Sequence, residues 1–186
     1  MSHNPDPLPH ASVLLSALID IGVSHVIGLP DNGSAALFDL LDGNPAISLL
    51  TVTREGEAFA IASGLWLGNQ NPVVLIQNTG LLESGDSLRG TAVRMGAPLL
   101  CLVGYRGYAK MTAHAIDPHA RPPSRDDLTR SDLDSTALLT EPTLRAWGIP
   151  YRLYSSDRDA DLVAEAWEQA HREARPVALL LPRPLT

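Results

Sequence analysis

The sequence predicts an α/β protein, a three-layer sandwich built around a central, mainly parallel six-stranded sheet. Short apolar runs alternate along the chain with longer segments of helical periodicity, and the short runs are apolar throughout rather than at every second position. Continuous hydrophobicity is typical of strands buried on both faces, and the intervening helices would supply the outer layers. With 186 residues, 45% of them hydrophobic, we expect a single domain over residues 1–186.

The first half of the chain alternates regularly between helices and strands. A helix is predicted over about residues 9–21, followed by a strand in "SHVIGL" and a helix in "AALFDLLDG" that Ser34 would cap. A strand in "AISLLTVT" precedes a third helix, which begins near Glu55, and a strand in "PVVLIQ" follows it. A fourth helix over about residues 82–95 leads into a strand in "APLLCLVG".

The second half repeats this order after one interruption. Residues 105–135 show little periodicity, contain three prolines and are dense in charge, so we expect a polar loop excursion. An insertion of this length is either a cover for an active site or mobile surface, and the pattern leaves both open. Beyond it, "TEPTLRAWG" predicts a helix, "YRLY" a strand, "DADLVAEAWEQAHREA" a helix and "PVALLLP" a last buried strand.

Composition narrows the classes of function. The chain has 14 basic and 21 acidic residues, a net charge of −7, and no Lys/Arg-rich tract, so nucleic acid is not an expected partner. The one cysteine, Cys101, lies in an apolar run, where a packed thiol is expected. The start "MSHNPDPLPH" lacks a secretory pattern, and no apolar run approaches the ~20 residues of a membrane span. We therefore expect a cytoplasmic protein without membrane contact.

Glycine-containing turns follow the predicted strands directly. "GLPDNGS" comes after the first strand, "QNTGLLESG" after the third and "GYRG" after the fourth, and Glu55 follows the second. In a parallel sheet these turns share the carboxyl edge, where such folds bind ligands. Glu55 and Glu57 open an otherwise apolar helix, and first-turn acids also favour a helix through its dipole. Position alone therefore does not separate a functional acid from a helix-stabilising one.

The run "REGEAFAIASGLWLG" is similar to the pyrimidine-binding domain of thiamine-diphosphate-dependent enzymes. In that family an acid is followed nine residues later by glycine, and the corresponding pair in this chain is Glu55 and Gly64. "GLPDNGS", "VVLIQNTGLLESGDSLRG", "APLLCLVGYRG" and "LRAWGIPYRLY" resemble the alpha subunit of sulfopyruvate decarboxylase and the matching half of phosphonopyruvate decarboxylase. The similarity covers about residues 14–182. The long segment 108–135 departs from the family pattern, so neither His114 nor His119 can be matched.

The resemblance implies a thiamine-diphosphate-dependent decarboxylase of a 2-oxo acid with a second anionic group, 3-sulfopyruvate or 3-phosphonopyruvate. Glu55 would hydrogen-bond the pyrimidine ring nitrogen and favour the imino tautomer that activates the cofactor. Arg106 would bind the anionic group, although a surface salt bridge explains this arginine equally well. The remaining implied contacts are Pro30, Asn78, Thr79 and Gly80 to the cofactor and Asp31, Asn32 and Gln77 to the substrate.

Half of the family's active site has no counterpart in the sequence. There is no Gly-Asp-Gly motif of the kind that binds the diphosphate and Mg²⁺ in the family, no Walker loop and no cluster with metal-ligand spacing. The resemblance therefore implies a separate beta subunit that binds the diphosphate and Mg²⁺, with the cofactor shared across the interface of a hetero-oligomer. No metal is expected to bind this chain itself.

Three alternatives need weighing, and of these we discount the metal cluster. "GDSL" over residues 85–88 matches a serine esterase block, with Ser87 as nucleophile and His171 as a poorly placed candidate base. His114, Asp117 and His119 resemble a metal cluster, although such residues in a polar loop are usually solvated surface. The third alternative is a catalytically silent binding or regulatory subunit.

Overall fold

The structure, a computed structural model, describes residues 7–118 and 121–186. Within these residues six strands form one sheet, in the spatial order β2-β1-β3-β4-β6-β5, and every pairing between neighbours is parallel. The strands are β1 (His25–Gly28), β2 (Ser48–Thr51), β3 (Pro72–Gln77), β4 (Leu100–Gly104), β5 (Tyr151–Leu153) and β6 (Val177–Leu181). The predicted parallel six-stranded sheet is confirmed.

Helices cover both faces of this sheet. Alternate residues of β3 point to opposite sides, so Val74 and Ile76 join one apolar core while Val73 and Leu75 join the other. The helices are α1 (Ala11–Asp20), α2 (Ala35–Leu41), α3 (Glu55–Leu67), α4 (Asn78–Glu83), α5 (Gly85–Ser87), α6 (Tyr108–Ala113), α7 (Arg125–Thr129), α8 (Ser135–Ala146) and α9 (Asp161–Glu173). Residues of α1, α2 and α9 pack in one core, and residues of α3, α4 and α8 pack in the other. The result is the expected three-layer sandwich.

The outer strands differ from the prediction. We expected all strands to be buried on both faces, but β2 is largely exposed and β5 is only half-buried. Both lie at an edge of the sheet, where one side of the strand has no neighbour. Their apolar composition therefore reports packing on one face, and Leu50 in β2 remains 39% exposed.

The fourth predicted helix is replaced by three short pieces. β3 runs without a loop into α4, a break at Ser84 separates α4 from α5, and a π-helical segment, Leu88–Val93, follows. The predicted loop of residues 105–135 contains α6 and α7, so it is partly helical. A capping box between Ser124 and Asp127 and an ion pair from Arg121 to Asp127 stabilise α7. Such polar interactions leave no apolar periodicity in the sequence.

Two further features bear on the expectations from composition. The Cys101 thiol is buried, and burial raises its pKa to about 12, so it behaves as a packed apolar group. No helix in the described part of the chain is long and apolar enough to cross a membrane.

Candidate active site

Glu55 is the first residue of α3 and lies on the side of the helix that faces α4. It shares this side with Phe59 and Ala62, four and seven residues later, which are fully buried. The Glu55 side chain lies directly on Gly80 of α4, so close that a Cβ atom on Gly80 would collide with its Cγ and Cδ atoms. Gly80 therefore provides the space that the Glu55 side chain occupies.

The Glu55 carboxylate accepts no hydrogen bond from residues 7–118 or 121–186. Its neighbour in sequence, Arg54, forms an ion pair with Glu83 instead. A half-buried carboxylate without a hydrogen-bond donor costs folding free energy, unless another group donates to it. This carboxylate is consequently available to a ligand.

Glu57 has a different role, although it lies only two residues away. Its Oε2 accepts hydrogen bonds from the Thr53 amide at 3.1 Å, the Thr53 hydroxyl at 3.1 Å and the Arg54 amide at 3.3 Å. These bonds close the N-terminus of α3, and the hydrogen bonds from Thr53 lower the pKa of Glu57. The helix-stabilising role that the sequence allowed for both acids therefore belongs to Glu57.

The turn after β3 holds three of the implied site residues in different environments. Asn78 is fully buried, and its amide nitrogen donates to the Arg106 carbonyl at 3.0 Å and to the Thr140 hydroxyl at 3.1 Å. Its Oδ1 is buried without a hydrogen-bond partner among the described residues. Thr79 is exposed and donates to Gln77 Oε1 at 3.1 Å. Asn78 thus ties the turn to the neighbouring segments from a buried position, whereas Thr79 and Gln77 lie at the surface of the site.

The turn after β1 is organised by Asp31. Its carboxylate accepts hydrogen bonds from the Gly33 amide at 2.6 Å, the Ser34 amide at 3.2 Å and the Ser34 hydroxyl at 2.8 Å. Ser34 precedes α2 as expected, but its hydroxyl donates to Asp31 and does not cap the helix. Pro30 and Asn32 are exposed beside this turn.

Arg106 lies in the turn after β4 and forms an ion pair. Its Nε donates to Asp134 Oδ2 at 2.8 Å, while its side chain remains 53% exposed. Burial opposes ionisation of Asp134, but hydrogen bonds from Arg106 and Thr136 outweigh it and lower the Asp134 pKa. The salt bridge that the sequence left open is present, and the two Nη atoms of Arg106 have no hydrogen-bond partner among the described residues.

A cavity of about 830 Å³ opens at the carboxyl edge of the sheet, between the turns after β1, β3, β4 and β6. Its lining consists of residues 31–33, Gln77, residues 104–110, residues 131–135 and residues 181–184. Gln77 reaches this cavity, and Gly80, three residues later, contacts Glu55. Gln77 and Gly80 therefore belong to one short segment, which contributes to the cavity lining at one end and contacts the Glu55 side chain at the other.

The cavity wall includes functional candidates that the sequence did not single out. Lys110 lies on α6 inside the excursion, and Arg183 lies two residues beyond the end of β6. Arg183 could have been found, because it follows a strand at the carboxyl edge like the glycine turns. Lys110 gave no signal, because the short α6 has no apolar repeat. Both ends of the excursion, residues 105–110 and 131–135, therefore form part of the cavity wall.

The alternative sites are not assembled. The Ser87 hydroxyl lies beside Gly56, and no histidine in the described residues forms a hydrogen bond with it. His114 bonds the Lys110 carbonyl at 2.8 Å and Asp132 at 3.1 Å, whereas His119 lies outside the described residues. No cluster of three or more potential metal ligands occurs in the part of the chain that the structure describes.

Comparison with known families decides the identity of the fold. The family described as "Thiamine pyrophosphate enzyme, N-terminal TPP binding domain" matches residues 10–123, more than half of the 186 residues. The chain belongs to this family. The match includes α3 with Glu55 and the turns that hold Asp31, Gln77 and Arg106. The resemblance drawn from "REGEAFAIASGLWLG" is thereby confirmed, thiamine pyrophosphate being another name for thiamine diphosphate.

Relatives of this thiamine pyrophosphate enzyme domain include proteins of its own length. The sulfopyruvate decarboxylase subunit alpha of Methanothermobacter thermautotrophicus is 25% identical over 172 residues, covering 92% of this chain and 94% of that protein. The protein of the same name from Methanococcus maripaludis is 25% identical over 172 residues, covering 92% and 93%. The phosphonopyruvate decarboxylase of Streptomyces viridochromogenes is 34% identical over 97 residues, which cover 52% of this chain and 24% of that protein.

Proposed function

We propose that this chain is the pyrimidine-binding subunit of a thiamine-diphosphate-dependent decarboxylase. Its substrate is a 2-oxo acid with a second anionic group, 3-sulfopyruvate or 3-phosphonopyruvate, and turnover requires a separate subunit that binds the diphosphate and Mg²⁺. The relatives named sulfopyruvate decarboxylase subunit alpha and phosphonopyruvate decarboxylase support this assignment.

The observation that carries the proposal is the state of the Glu55 carboxylate. It is half-buried, fixed against Gly80 and free of hydrogen-bond donors from the described residues, whereas Glu57 is fully used in capping. A protonated ring nitrogen of an aminopyrimidine is a donor of the kind that this carboxylate lacks. The chain's own residues thus fit the pyrimidine half of the cofactor.

Each residue then has a defined task. Glu55 shares a proton with the pyrimidine ring nitrogen, and Gly80 holds the Glu55 side chain in place. Thiamine diphosphate, when bound, supplies the thiazolium ring that takes up the electron pair released with carbon dioxide. Asn78 fixes the turn after β3 through Arg106 and Thr140, so that Thr79 and Gln77 keep their positions at the rim.

The exposed face of α3 is the feature of this chain that argues for a partner subunit. Ala60, Ile61, Gly64 and Leu67 are exposed along one side of the helix, and Leu67 is 62% exposed. Apart from its own helix, a Cβ at Gly64 would meet no atom of the described residues within 4 Å. Glycine within a helix costs about 1 kcal/mol relative to alanine, and packing inside this chain gives no reason for it. Close approach of a second chain would explain both the glycine and the uncovered apolar side.

The test is decarboxylation by the chain alone and in complex with its diphosphate-binding subunit. With thiamine diphosphate and Mg²⁺ present, we expect carbon dioxide release from 3-sulfopyruvate or 3-phosphonopyruvate by the complex and none by the isolated chain. Robust turnover by the isolated chain would refute the need for a partner. A stable complex that binds thiamine diphosphate but decarboxylates no 2-oxo acid would identify a silent subunit and refute the proposed activity.

A further inference from the structure

The cavity at the carboxyl edge is lined by three carboxylates, and each of them is already engaged. Asp31 accepts three hydrogen bonds from its own turn. Asp134 is paired with Arg106 at 2.8 Å, and Asp132 is paired with Arg130 at 2.6 Å. The hydrogen bonds from Arg130 lower the pKa of Asp132 to about 2, so it stays ionised within that pair. Asp132 and Asp134 are therefore neutralised by arginines, and Asp31, which keeps its charge, is held by neutral donors of its own turn.

Two cations of the cavity wall have no such compensation. Lys110 and Arg183 line the cavity, and neither forms an ion pair with a carboxylate among residues 7–118 and 121–186. One Nη atom of Arg183 donates a hydrogen bond to the Pro7 carbonyl at 3.0 Å. This bond orients the guanidinium, and because a carbonyl is neutral, the charge of Arg183 stays unpaired. In a chain with a net charge of −7, two unpaired cations on one cavity favour an anionic occupant.

The fold brings these two side chains to the same cavity. β4 and β6 are adjacent and parallel, with Gly104 opposite Leu181, so the segments after them leave the sheet side by side. The Tyr105 amide donates to the Leu181 carbonyl at 2.8 Å and continues this contact beyond the strands. α6, which carries Lys110, follows the first segment, and Arg183 stands between two prolines in the second. The prolines restrict the backbone on both sides of Arg183.

We propose that Lys110 and Arg183 form the site that binds the second anionic group of the substrate, a tetrahedral sulfonate or phosphonate. This inference rests on the proposed function and deepens it, because it transfers the main role in anion selection from Arg106 to two other residues. Arg106 is already paired with Asp134 and contributes only its free Nη atoms. A lysine point charge and an arginine fork together supply enough donors for the oxygens of a tetrahedral anion.

The experiment compares substrates in the assembled complex. We would measure kcat/KM for 3-sulfopyruvate, 3-phosphonopyruvate and pyruvate with Lys110→Met, Arg183→Met and the double variant. Each single variant should lower kcat/KM for the substrate with the second anion by about 10- to 100-fold, mainly through KM, because one charged hydrogen-bonding partner is lost. The value for pyruvate should stay within about threefold, since pyruvate has no group at this site.

Charge-retaining and distant variants complete the design. Lys110→Arg should restore most of the selectivity, and Arg125→Ala, an exposed arginine of the excursion outside the cavity lining, should change nothing. If the variants lower kcat/KM more for 3-sulfopyruvate than for 3-phosphonopyruvate, the site selects a sulfonate, and the reverse order indicates a phosphonate. Equal losses for pyruvate and for the anionic substrates, or no loss at all, would overturn the inference.

A binding measurement separates this inference from the proposed function. Sulfoacetate carries a carboxylate and a sulfonate but has no ketone to react, and acetate is its matched control. Calorimetry on the full chain should show that sulfoacetate binds more tightly than acetate and that the Lys110→Met, Arg183→Met double variant loses this preference. If the complex decarboxylates nothing but the preference is present, the function fails and the anion site stands. Absence of any preference in the wild-type chain would refute the site.

Discussion

At the residue scale, two glutamates of one helical turn have separate chemistry. Successive residues of an α-helix are rotated by about 100°, so Glu55 and Glu57 lie on opposite sides of α3. Glu57 faces outward and accepts hydrogen bonds from the Thr53 and Arg54 amides just before the first turn of the helix. Glu55 faces α4, rests on Gly80 and keeps its carboxylate free of donors from the described residues. A helix that is apolar on every side can therefore begin with one acid that caps it and one whose carboxylate is left without a donor.

Gly80→Ala tests whether the glycine holds Glu55 in position. A Cβ at residue 80 would displace the Glu55 side chain, and we expect turnover of the complex to fall at least about tenfold. Displacing the Glu55 side chain breaks no hydrogen bond among the described residues, so Tm should change little. Gly90→Ala is the control, because its Cβ would meet Asp86 at an ordinary distance of 3.5 Å. If the variant still lowers turnover in a Glu55→Ala background, the glycine does not act through Glu55.

The capping role of Glu57 predicts a pH dependence of stability. Hydrogen bonds from Thr53 lower the pKa of Glu57 in the folded state, whereas the unfolded value is about 4.3. The stabilisation is complete above the unfolded pKa and is lost as the pH falls through the folded one. Glu57→Gln should therefore lower Tm at about pH 7, and its difference from wild type should shrink below about pH 4. A difference that is constant across this range would contradict the role.

The sequence predicted some features of the candidate site and not others. Glu55 could be predicted because both its place at the head of an apolar helix and its spacing to Gly64 are visible in the sequence. The burial of Asn78 and the pairing of Arg106 with Asp134 could not, since each depends on a contact with a residue at least 28 positions away. That these residues bind cofactor or substrate stays a prediction.

At the element scale, the sequence predicted what periodicity records. Six apolar runs became six strands, but the exposure of β2 and β5 follows from the order of strands in the sheet, which no single run contains. The break of the fourth helix at Ser84 leaves no apolar pattern, and α7 in the excursion depends on a capping box and an ion pair instead. The excursion was therefore recognised as unusual, while its contribution to the cavity was not.

The uncovered side of α3 predicts where the partner binds. Ile61→Asp should weaken assembly with the diphosphate-binding subunit by at least about 100-fold, because it places a charge in an apolar interface. Ile19→Asp on α1 is a matched control, since Ile61 is 39% exposed and Ile19 is 40% exposed. Both variants should fold with similar Tm. Equal weakening by both, or by neither, in sedimentation measurements would remove α3 from the interface.

At the scale of the whole molecule, the parallel sheet places the candidate site residues at its carboxyl edge. The turns after β1, β3, β4 and β6 surround the cavity, and Glu55 of α3 contacts Gly80 in the helix that follows β3. That residues 1–186 form one domain stays a prediction. The described residues include a half-buried carboxylate without a donor and two cations without an ion pair, but no cluster of metal ligands. The proposal that two subunits share one site explains why one set of groups is present in this chain and the other is not found among its described residues.

The most direct test of a catalytic Glu55 in a shared site is carbon dioxide release by the complex carrying Glu55→Gln, with Glu57→Gln as the matched control. We expect Glu55→Gln to lower kcat by about 10²- to 10⁴-fold, because a glutamine cannot exchange a proton with the pyrimidine nitrogen. Assembly with the partner should be unchanged, and Glu57→Gln should keep turnover within a few fold below its Tm. Wild-type kcat in Glu55→Gln, or a larger loss in Glu57→Gln, would contradict the account.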